Sequence, residues 1–261
     1  MVRGLYTAWT GMVNEQKRLD VISNNMANAD TIGYKKQGVT SQSFDDELTL
    51  RIHNNNAPSP LNYRIGNMNL GVKIGETYHD LSQGSLRETG NTYDLALSGD
   101  GFFTIQTTNK QGVTSTKYTR DGSFTVNTEG YLVTRDGDYV LDTNGARIQI
   151  PGAQTAVDVS FDAVGNVTVN GQRVATLGIA GFANPQALLL YGENMYDATD
   201  AAGLQAGTAT VHQGYLEMSN TNVINEMVSM ITITRAYEAG QKMIQTTDST
   251  LEKAVNEIGR V

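Results

Sequence analysis

The sequence predicts an α+β chain: long helices at its two ends form one discontinuous, coiled-coil-like domain, a central all-β domain lies between them, and an extended arm follows the first helix. Three observations predict it. Apolar residues recur at heptad spacing within residues 2–26 and again within 223–258, with no third stripe between them. Five Asp-Gly or Asn-Gly pairs punctuate the middle of the chain, between short runs rich in Val, Ile, Tyr, Phe and Thr. Residues 37–75 carry neither pattern. The boundaries are therefore 1–36 for the first assembly helix, 37–75 for the arm, 76–215 for the β domain and 216–261 for the second assembly helix.

In the first helix Val2, Leu5, Trp9, Met12, Gln16, Leu19, Ser23 and Met26 alternate steps of three and four, and all but Gln16 and Ser23 are apolar. It runs from Val2 to about Asn28, roughly 40 Å at 1.5 Å per residue. Asn24, Asn25, Asn28 and Asp30 crowd its end, and Gly33 follows as a residue free to take positive φ. The arm then loosens into a short, possibly helical piece at Phe44–Ile52 and the run Asn54-Asn55-Asn56-Ala57-Pro58-Ser59-Pro60. A disordered surface loop at 53–68 is the alternative there.

In the β domain the pairs Asp100-Gly101, Asp121-Gly122, Asp136-Gly137, Asn144-Gly145 and Asn170-Gly171 predict hairpin turns. Phe102–Ile105, Ser123–Val126, Tyr131–Val133 and Val167–Val169 are its strand candidates, in a twisted sandwich or partly closed barrel. The last helix opens near Ser219–Asn222, where Ser, Thr and Asn can cap it, and ends near Gly259, reaching roughly 55 Å. Val223, Met230, Tyr237, Ile244, Leu251 and Ile258 repeat every seven residues along it, with Met227, Thr234, Gln241, Asp248 and Val255 as the companion column. Ile224, Val228, Ile231, Ile233 and Met243 lie off that column, so more than one neighbouring helix is implied. The bland alternative is a terminal helix packed on its own domain.

Composition narrows the function. A formal charge of −8 works against a phosphate-binding surface, so no nucleic-acid partner is expected. The chain has no Cys, which removes disulfides, thiolate metal sites and a Cys nucleophile. The start Met1-Val2-Arg3-Gly4-Leu5-Tyr6 lacks a secretory signal pattern, and no stretch approaches eighteen apolar residues, so the chain is expected to be soluble when made, not membrane-inserted, and exported, if at all, by another route. His53, His79 and His212 form no metal-ligand pair. The acidic turns at Asp136-Gly137-Asp138 and Asp142–Gly145 fail the calcium-loop spacing and read better as hairpins. No cofactor, metal site or catalytic residue is expected. A glycan hydrolase using two carboxylates such as Asp94 and Asp121, and a coiled-coil adhesin or scaffold of closed stoichiometry, are the competing readings.

Two residue roles follow from local chemistry. Trp9, the only tryptophan, is expected to be a buried anchor once copies assemble. Arg235 and Glu238 stand three apart, where a pair within the helix would contribute only about 0.2–0.5 kcal/mol.

The segments Leu5–Met12 (LYTAWTGM), Leu19–Asn28 (LDVISNNMAN) and Thr31–Lys35 (TIGYK), with Asn91–Phe103, Tyr118–Leu132, Gly214–Val223 (GYLEMSNTNV) and Arg235-Ala236-Tyr237-Glu238, together resemble the axial proteins of the bacterial flagellum. Ile32 stands where the commonest version of the signature has Pro. Within that family, length and the single β region are similar to the distal-rod subunits, with the rod subunits joining proximal to distal rod second; hook subunits are usually longer. The resemblance implies a structural, non-enzymatic subunit exported through the flagellar type III apparatus without signal cleavage. It would polymerise with itself, and with other rod and hook proteins, into the drive shaft outside the cytoplasmic membrane. Residues 41–66 occupy the position of an extension associated with a straight, stiff rod. The resemblance marks Asn24, Asn25, Ala27, Asn28, Gly33, Tyr34, Lys35, Arg235 and Glu238 as family positions, the last two as contacts between subunits. The expected subunit interface comprises Val2, Leu5, Trp9, Met12, Leu19 and Met26 with Val223, Met227, Met230, Tyr237, Ile244, Leu251, Val255 and Ile258.

Overall fold

The computed structural model describes residues 2–51, 63–109, 112–152, 158–192 and 194–258, and the side chains of residues 2, 3, 50, 51, 63–65 and 258 lie outside that description. The chain is α+β and divides into two units: residues 1–26, 37–78 and 223–261 form one, residues 27–36 and 79–222 the other.

In the first unit, helix α1 spans Val2–Ala27 and helix α2 spans Val223–Lys253, followed by a π-helical turn at Ala254–Ile258. The backbone amide of Thr221 donates to Ser219 Oγ just before α2, and Glu226 lies in its first turn, where a carboxylate complements the helix dipole. Leu5, Ala8, Met12, Glu15, Leu19, Ile22 and Met26 share the covered face of α1; Glu226, Met230, Ile233, Tyr237, Gly240, Ile244, Thr247, Leu251 and Ala254 share that of α2. A β-carbon built on Gly240 would lie 2.8 Å from Met12 Cγ, which places these two residues level. Counted outward from there, Ala8 falls level with Ile244, Glu15 with Tyr237, Leu19 with Ile233, and Met26 with Glu226. The two covered patterns coincide only if the helices run in opposite directions.

The companion columns, expected at contacts between subunits, lie outside the helix contact within the chain. The seven-residue columns Leu5/Met12/Leu19/Met26 and Met230/Tyr237/Ile244/Leu251 are half-buried as spaced, but Trp9, Gln16 and Ser23 on α1 and Met227, Thr234, Gln241, Asp248 and Val255 on α2 are exposed. Each seam takes its second column from the opposite side of the first. The reason is side-chain size: Ala8 and Gly240 let the axes approach, whereas Trp9 at the seam would hold them apart.

The arm is also corrected in its local structure. Residues Glu47–Arg51, expected to be helical, form a strand paired antiparallel with Tyr63–Met68, from Glu47 opposite Met68 to Arg51 opposite Tyr63. Leu48 and Leu50 alternate with polar neighbours at period two, which the shorter helical reading overlooked. Residues 52–62, including Asn54–Pro60 and His53, lie outside the described residues. Strands Gln37–Ser43 and Val72–His79 pair as a second ribbon. The first of these retraces α1: Asn25 exchanges two hydrogen bonds with the backbone of Gln37 (2.8 and 2.9 Å), Asn14 bonds Ser41 at 3.0 Å, and Gly71, whose carbonyl accepts from Phe44 N, abuts Thr10. Residues 37–44 in extended form cover about 23 Å, and the helix from 25 back to 10 covers about 22 Å, so the two lengths match.

In the second unit a nine-stranded sheet runs Leu188–Tyr191, Met195–Ala198, Thr114–Thr119, Phe102–Thr108, Tyr139–Val140, Leu132–Thr134, Phe124–Val126, with Ile179–Phe182 joining Phe102–Thr108 and carrying Leu204–Ala206. A three-stranded sheet (159–161, 166–169, 172–176) and two ribbons, 95–98 with 210–213 and 86–88 with 215–217, complete it. Strand Phe102–Thr108 serves two cores because successive side chains point to opposite faces. Phe103 and Ile105 enter one with Leu95, Phe124 and Leu132, and Phe102 enters the other with Tyr118 and Tyr196.

Three of the five turn pairs reverse the chain as expected. Asn170 (φ 51) and Gly171 (φ 78) both take the positive φ of a two-residue hairpin, with Val169 opposite Gln172. Asp136-Gly137 and Asn144-Gly145 close hydrogen-bonded turns, Gly137 N to Thr134 O and Gly145 N to Asp142 O. Asp100-Gly101 and Asp121-Gly122 are corrections: neither glycine has positive φ, and neither pair joins adjacent strands. There glycine serves close approach, since a β-carbon at Gly101 would sit 2.9 Å from Ile179 Cγ2 and one at Gly122 would run into the carbonyl oxygen of Leu95.

Candidate functional site

Three family positions of the N-terminal segment, Gly33, Tyr34 and Lys35, converge on a buried ionic clasp in the second unit. Gly33 turns at φ 67, and its amide donates to the backbone carbonyl of Glu217 at 2.8 Å. An added β-carbon would lie 2.5 Å from Asp121 N and 2.7 Å from Arg120 C, so glycine is required both by backbone handedness and by space. That turn delivers Tyr34 into the interior and carries Lys35 to Glu217. Lys35 Nζ donates to Glu217 Oε1 at 2.6 Å and to the carbonyl of Ser82 at 2.7 Å. Arg120 Nη1 donates to Glu217 Oε2 at 3.1 Å, and its Nη2 donates to the carbonyl of Gly99 at 2.7 Å. The guanidinium lies 5.1 Å from the Phe102 ring centre. Gly84 N adds a third donor to the carboxylate, and Lys36 N bonds Asn220 Oδ1 at 2.8 Å.

Electrostatically the clasp sets two cations on one carboxylate with water excluded. Burial holds the Lys35 ammonium below its ordinary pKa, and the Glu217 charge works in the opposite direction. Burial also pushes the Tyr196 phenol up, with Tyr34 adding to the rise. Asp80, beside Ser82, is held low by the hydrogen bonds it accepts from Ser82. Such a cluster joins distant chain segments, residues 35, 120 and 217.

The other family positions are placed differently. Asn25 is buried, Asn24 and Ala27 are exposed, and half-buried Asn28 accepts a hydrogen bond from Thr31 Oγ1. Arg235 and Glu238 are exposed and form no ion pair with each other among the described residues; they line a shallow groove with Ala239, Lys242, Met243 and Thr246. Of the expected interface residues, Leu5, Met12, Leu19, Met26, Met230, Tyr237, Ile244 and Leu251 are half-buried within the chain, and Trp9, Val223, Met227 and Val255 face solvent. Exposed apolar residues of the helices include two stripes, Tyr6, Trp9 and Val13 on α1 and Ile224, Val228 and Ile231 on α2, with Val223, Met227, Met243 and Val255 also exposed. Sequence reasoning did not single out Arg120 or Glu217. Their only signal is that each falls in a segment carrying the family resemblance, Arg120 in Tyr118–Leu132 and Glu217 in Gly214–Val223.

The carboxylates weighed for hydrolysis are committed to turns. Asp94 accepts from Thr89 Oγ1 at 2.7 Å and from Asn91 Nδ2 at 3.0 Å, and Asp121 accepts from Ser123 N and Oγ at 2.9 and 2.6 Å. Among the described residues no group of three His, Cys, Asp or Glu side chains could hold a metal, and no helix is long and apolar enough to cross a membrane.

Comparison with known proteins places the same segments. Residues 5–35 match the model described as flagella basal body rod protein, residues 96–169 that of the flagellar hook protein FlgE/F/G D1 domain, and residues 212–257 that of the flagellar basal body rod FlgEFG protein C-terminal region. The clasp draws on all three: Gly33 and Lys35, Arg120, and Glu217. Among curated relatives, the flagellar basal-body rod protein FlgG of Bacillus subtilis is 37% identical over 98% of this chain and 99% of its own length. FlgG of Buchnera aphidicola subsp. Baizongia pistaciae is 34% identical over 97% and 98%, and the rod protein FlgF of Caulobacter vibrioides is 32% identical over the whole of both chains.

Proposed function

Because the chain belongs to the flagellar basal-body rod family, a set of structural subunits, we propose that it builds the distal part of the rod as a helical polymer of itself. It is a structural subunit of the flagellar rod, located in the flagellum and assembled with other rod and hook proteins. The FlgG relatives support the distal position, and the FlgF relative keeps the junction with the proximal rod as the second placement.

The observation that carries polymerisation is the pair of solvent-facing apolar stripes on α1 and α2. Two different patches on one chain make a heterologous contact, and heterologous contacts that do not close a ring extend into an open helical array. In that array the terminal helices form a coiled-coil-like inner layer whose interface includes the expected α1 and α2 residues, Arg235 and Glu238 among them. The extended arm, residues 37–75, links neighbours, and residues 41–66 within it stiffen the shaft. Subunits reach the site through the flagellar type III export apparatus without signal cleavage, beyond the cytoplasmic membrane.

A strain lacking the chain tests this reading. It is expected to be non-motile, with hook-basal bodies truncated at the rod by electron microscopy. Complete basal bodies in that strain would overturn it.

A further inference from the structure

Asn144-Gly145 and Asn170-Gly171 share a chemistry separate from the turns they make. Asparagine is thermolabile because the backbone nitrogen of the next residue can attack its side-chain amide. Glycine, with no side chain, leaves that nitrogen unhindered. The fold treats the two pairs differently.

At the first pair both reacting groups are engaged. Gly145 N donates to Asp142 O at 2.9 Å, and Asn144 Nδ2 donates to Asp142 Oδ2 at 3.2 Å. At the second pair Asn170 and Gly171 are exposed, and a β-carbon built on Gly171 would meet nothing within 4 Å. Among the described residues neither Gly171 N nor the Asn170 side chain has a hydrogen-bond partner. The Asn170 amide donates to Asp158 O at 2.9 Å, but that bond lies before the peptide plane that must swing for attack. Asn184 is exposed as well, yet Pro185 follows it, and a proline nitrogen carries no proton to give up.

We propose that Asn170 is a site of spontaneous deamidation in the folded chain, and that the Asp142 turn protects Asn144. Hydroxide removes the Gly171 amide proton, and the nitrogen bonds to Asn170 Cγ. The Cγ–Nδ2 bond breaks, ammonia leaves, and a succinimide ring closes. Water then opens the ring, so the net change is amide plus water to acid plus ammonia, with nothing oxidised or reduced. Addition at Cγ gives aspartate. Addition at the Asn170 backbone carbonyl carbon gives isoaspartate, whose main chain runs through the former side chain and gains a methylene.

Either product adds a negative charge at the hairpin tip. The isoaspartyl form also lengthens a two-residue loop, whose length fixes the register of the strands it joins. That register sets Val169 opposite Gln172 and holds Val167 and Val169 in the core.

The purified full chain is to be held at mildly alkaline pH, folded in buffer and unfolded in guanidinium chloride, and both pairs followed over time by peptide mass spectrometry. Chromatography separates the aspartyl from the isoaspartyl peptide. In the unfolded chain the two pairs are expected to convert at similar rates, since each is Asn followed by Gly. In the folded chain Asn170 is expected to convert several-fold faster than Asn144, at a rate that rises in proportion to hydroxide. Equal folded rates, a faster Asn144, or an Asn170 that converts in denaturant and stays intact in the fold would each overturn the proposal. Asn170→Gly keeps a residue at ease with positive φ and removes the side-chain amide. The mass gain in the peptide spanning residues 170 and 171 should vanish in that variant, and a gain that persists would assign the reaction to another residue.

Discussion

Lys35 and Glu217, 182 residues apart in the chain, meet at 2.6 Å with both side chains closed to solvent. The pair binds the segment following α1 to the strand that precedes α2, and Arg120 closes it from the β domain. Buried charges of this kind contribute little net stability when complete and cost a great deal when broken. Glu217→Ala leaves two cations facing each other without a counter-charge, and an unfolding cost of about 3–5 kcal/mol is expected. Lys35→Met leaves the Arg120–Glu217 pair neutral and should cost clearly less. Urea denaturation followed by circular dichroism separates the two, and an equal or reversed order would contradict the two-cation account.

Gly33 carries a double constraint, so its replacement should exceed the usual penalty for positive φ. Alanine there must adopt a left-handed backbone, costing about 1–2 kcal/mol, and must also push against the backbone of Arg120 and Asp121. Gly137, at φ 92 with open space around it, supplies the control with handedness alone. Gly33→Ala is expected to lower the melting temperature several degrees more than Gly137→Ala, since about 1 kcal/mol corresponds to roughly 2–4 °C in a chain of this size. Equal shifts would mean that the Arg120 contact gives way without cost.

These two sites also separate what the sequence made legible from what it did not. Helix α1 and the start of α2 were readable because heptad spacing and Asn- or Ser-rich ends are local signals. The seam was readable only to one column: Leu5/Met12/Leu19 is fixed by apolarity, but the choice between Ala8 and Trp9 as its companion depends on how near the partner helix comes. Glycine was ambiguous in the same way, since Asn170-Gly171 marks a turn while Gly101 and Gly122 mark close contacts across the fold. Gly33 was legible in its φ, and its clash with Arg120 was not. The clasp is a long-range pairing of residues 35, 120 and 217, and no local period or spacing encodes which lone charges will meet.

His79 gives a pH dependence with a definite sign. Burial against Tyr196, with ring centres 5.9 Å apart, holds the imidazole below its ordinary pKa of 6.5, because the charged form is poorly solvated there. As pH falls through 6.5 the unfolded chain takes up a proton that the folded chain does not, so stability declines until pH reaches the folded value and then levels. His79→Phe keeps the aromatic contact and removes the proton. The urea midpoint of the variant should fall less than that of the natural chain between pH 7.5 and pH 5, and parallel declines would assign the acid sensitivity elsewhere.

Trp9 should report assembly without reporting folding. Trp9 is 54% exposed in the single chain, so emission from unassembled subunits is expected to be red-shifted and to move to shorter wavelength as polymer forms. Val228→Asp places a charge on the opposing stripe at a position that is solvent-facing in the subunit. Its unfolding free energy should stay within about 0.5 kcal/mol of the natural value, while rods fail to form and the Trp9 shift disappears. A subunit destabilised as strongly as its polymerisation would mean that Val228 is used inside the chain.

The register of α1 on α2 rests on Met12 against Gly240, and that contact can be tested by exchanging volume across it. Glycine within a helix costs about 1 kcal/mol relative to alanine, so Gly240→Ala combines a gain in propensity with a push on Met12, whose flexible side chain can turn aside. The two effects oppose, and a change within about 1 kcal/mol is expected. Gly240→Leu exceeds what Met12 can yield and should destabilise the helix pair by about 1–3 kcal/mol, the usual range for overpacking. Removing the obstacle by Met12→Ala in the same chain restores the volume, so the double variant should be more stable than Gly240→Leu alone. Hydrogen exchange of α1 and α2 amides reads this directly. Protection that stays low in the double variant would place Gly240 against some other residue, and the pairing of Ala8 with Ile244 and Leu19 with Ile233 counted from that contact would fall with it.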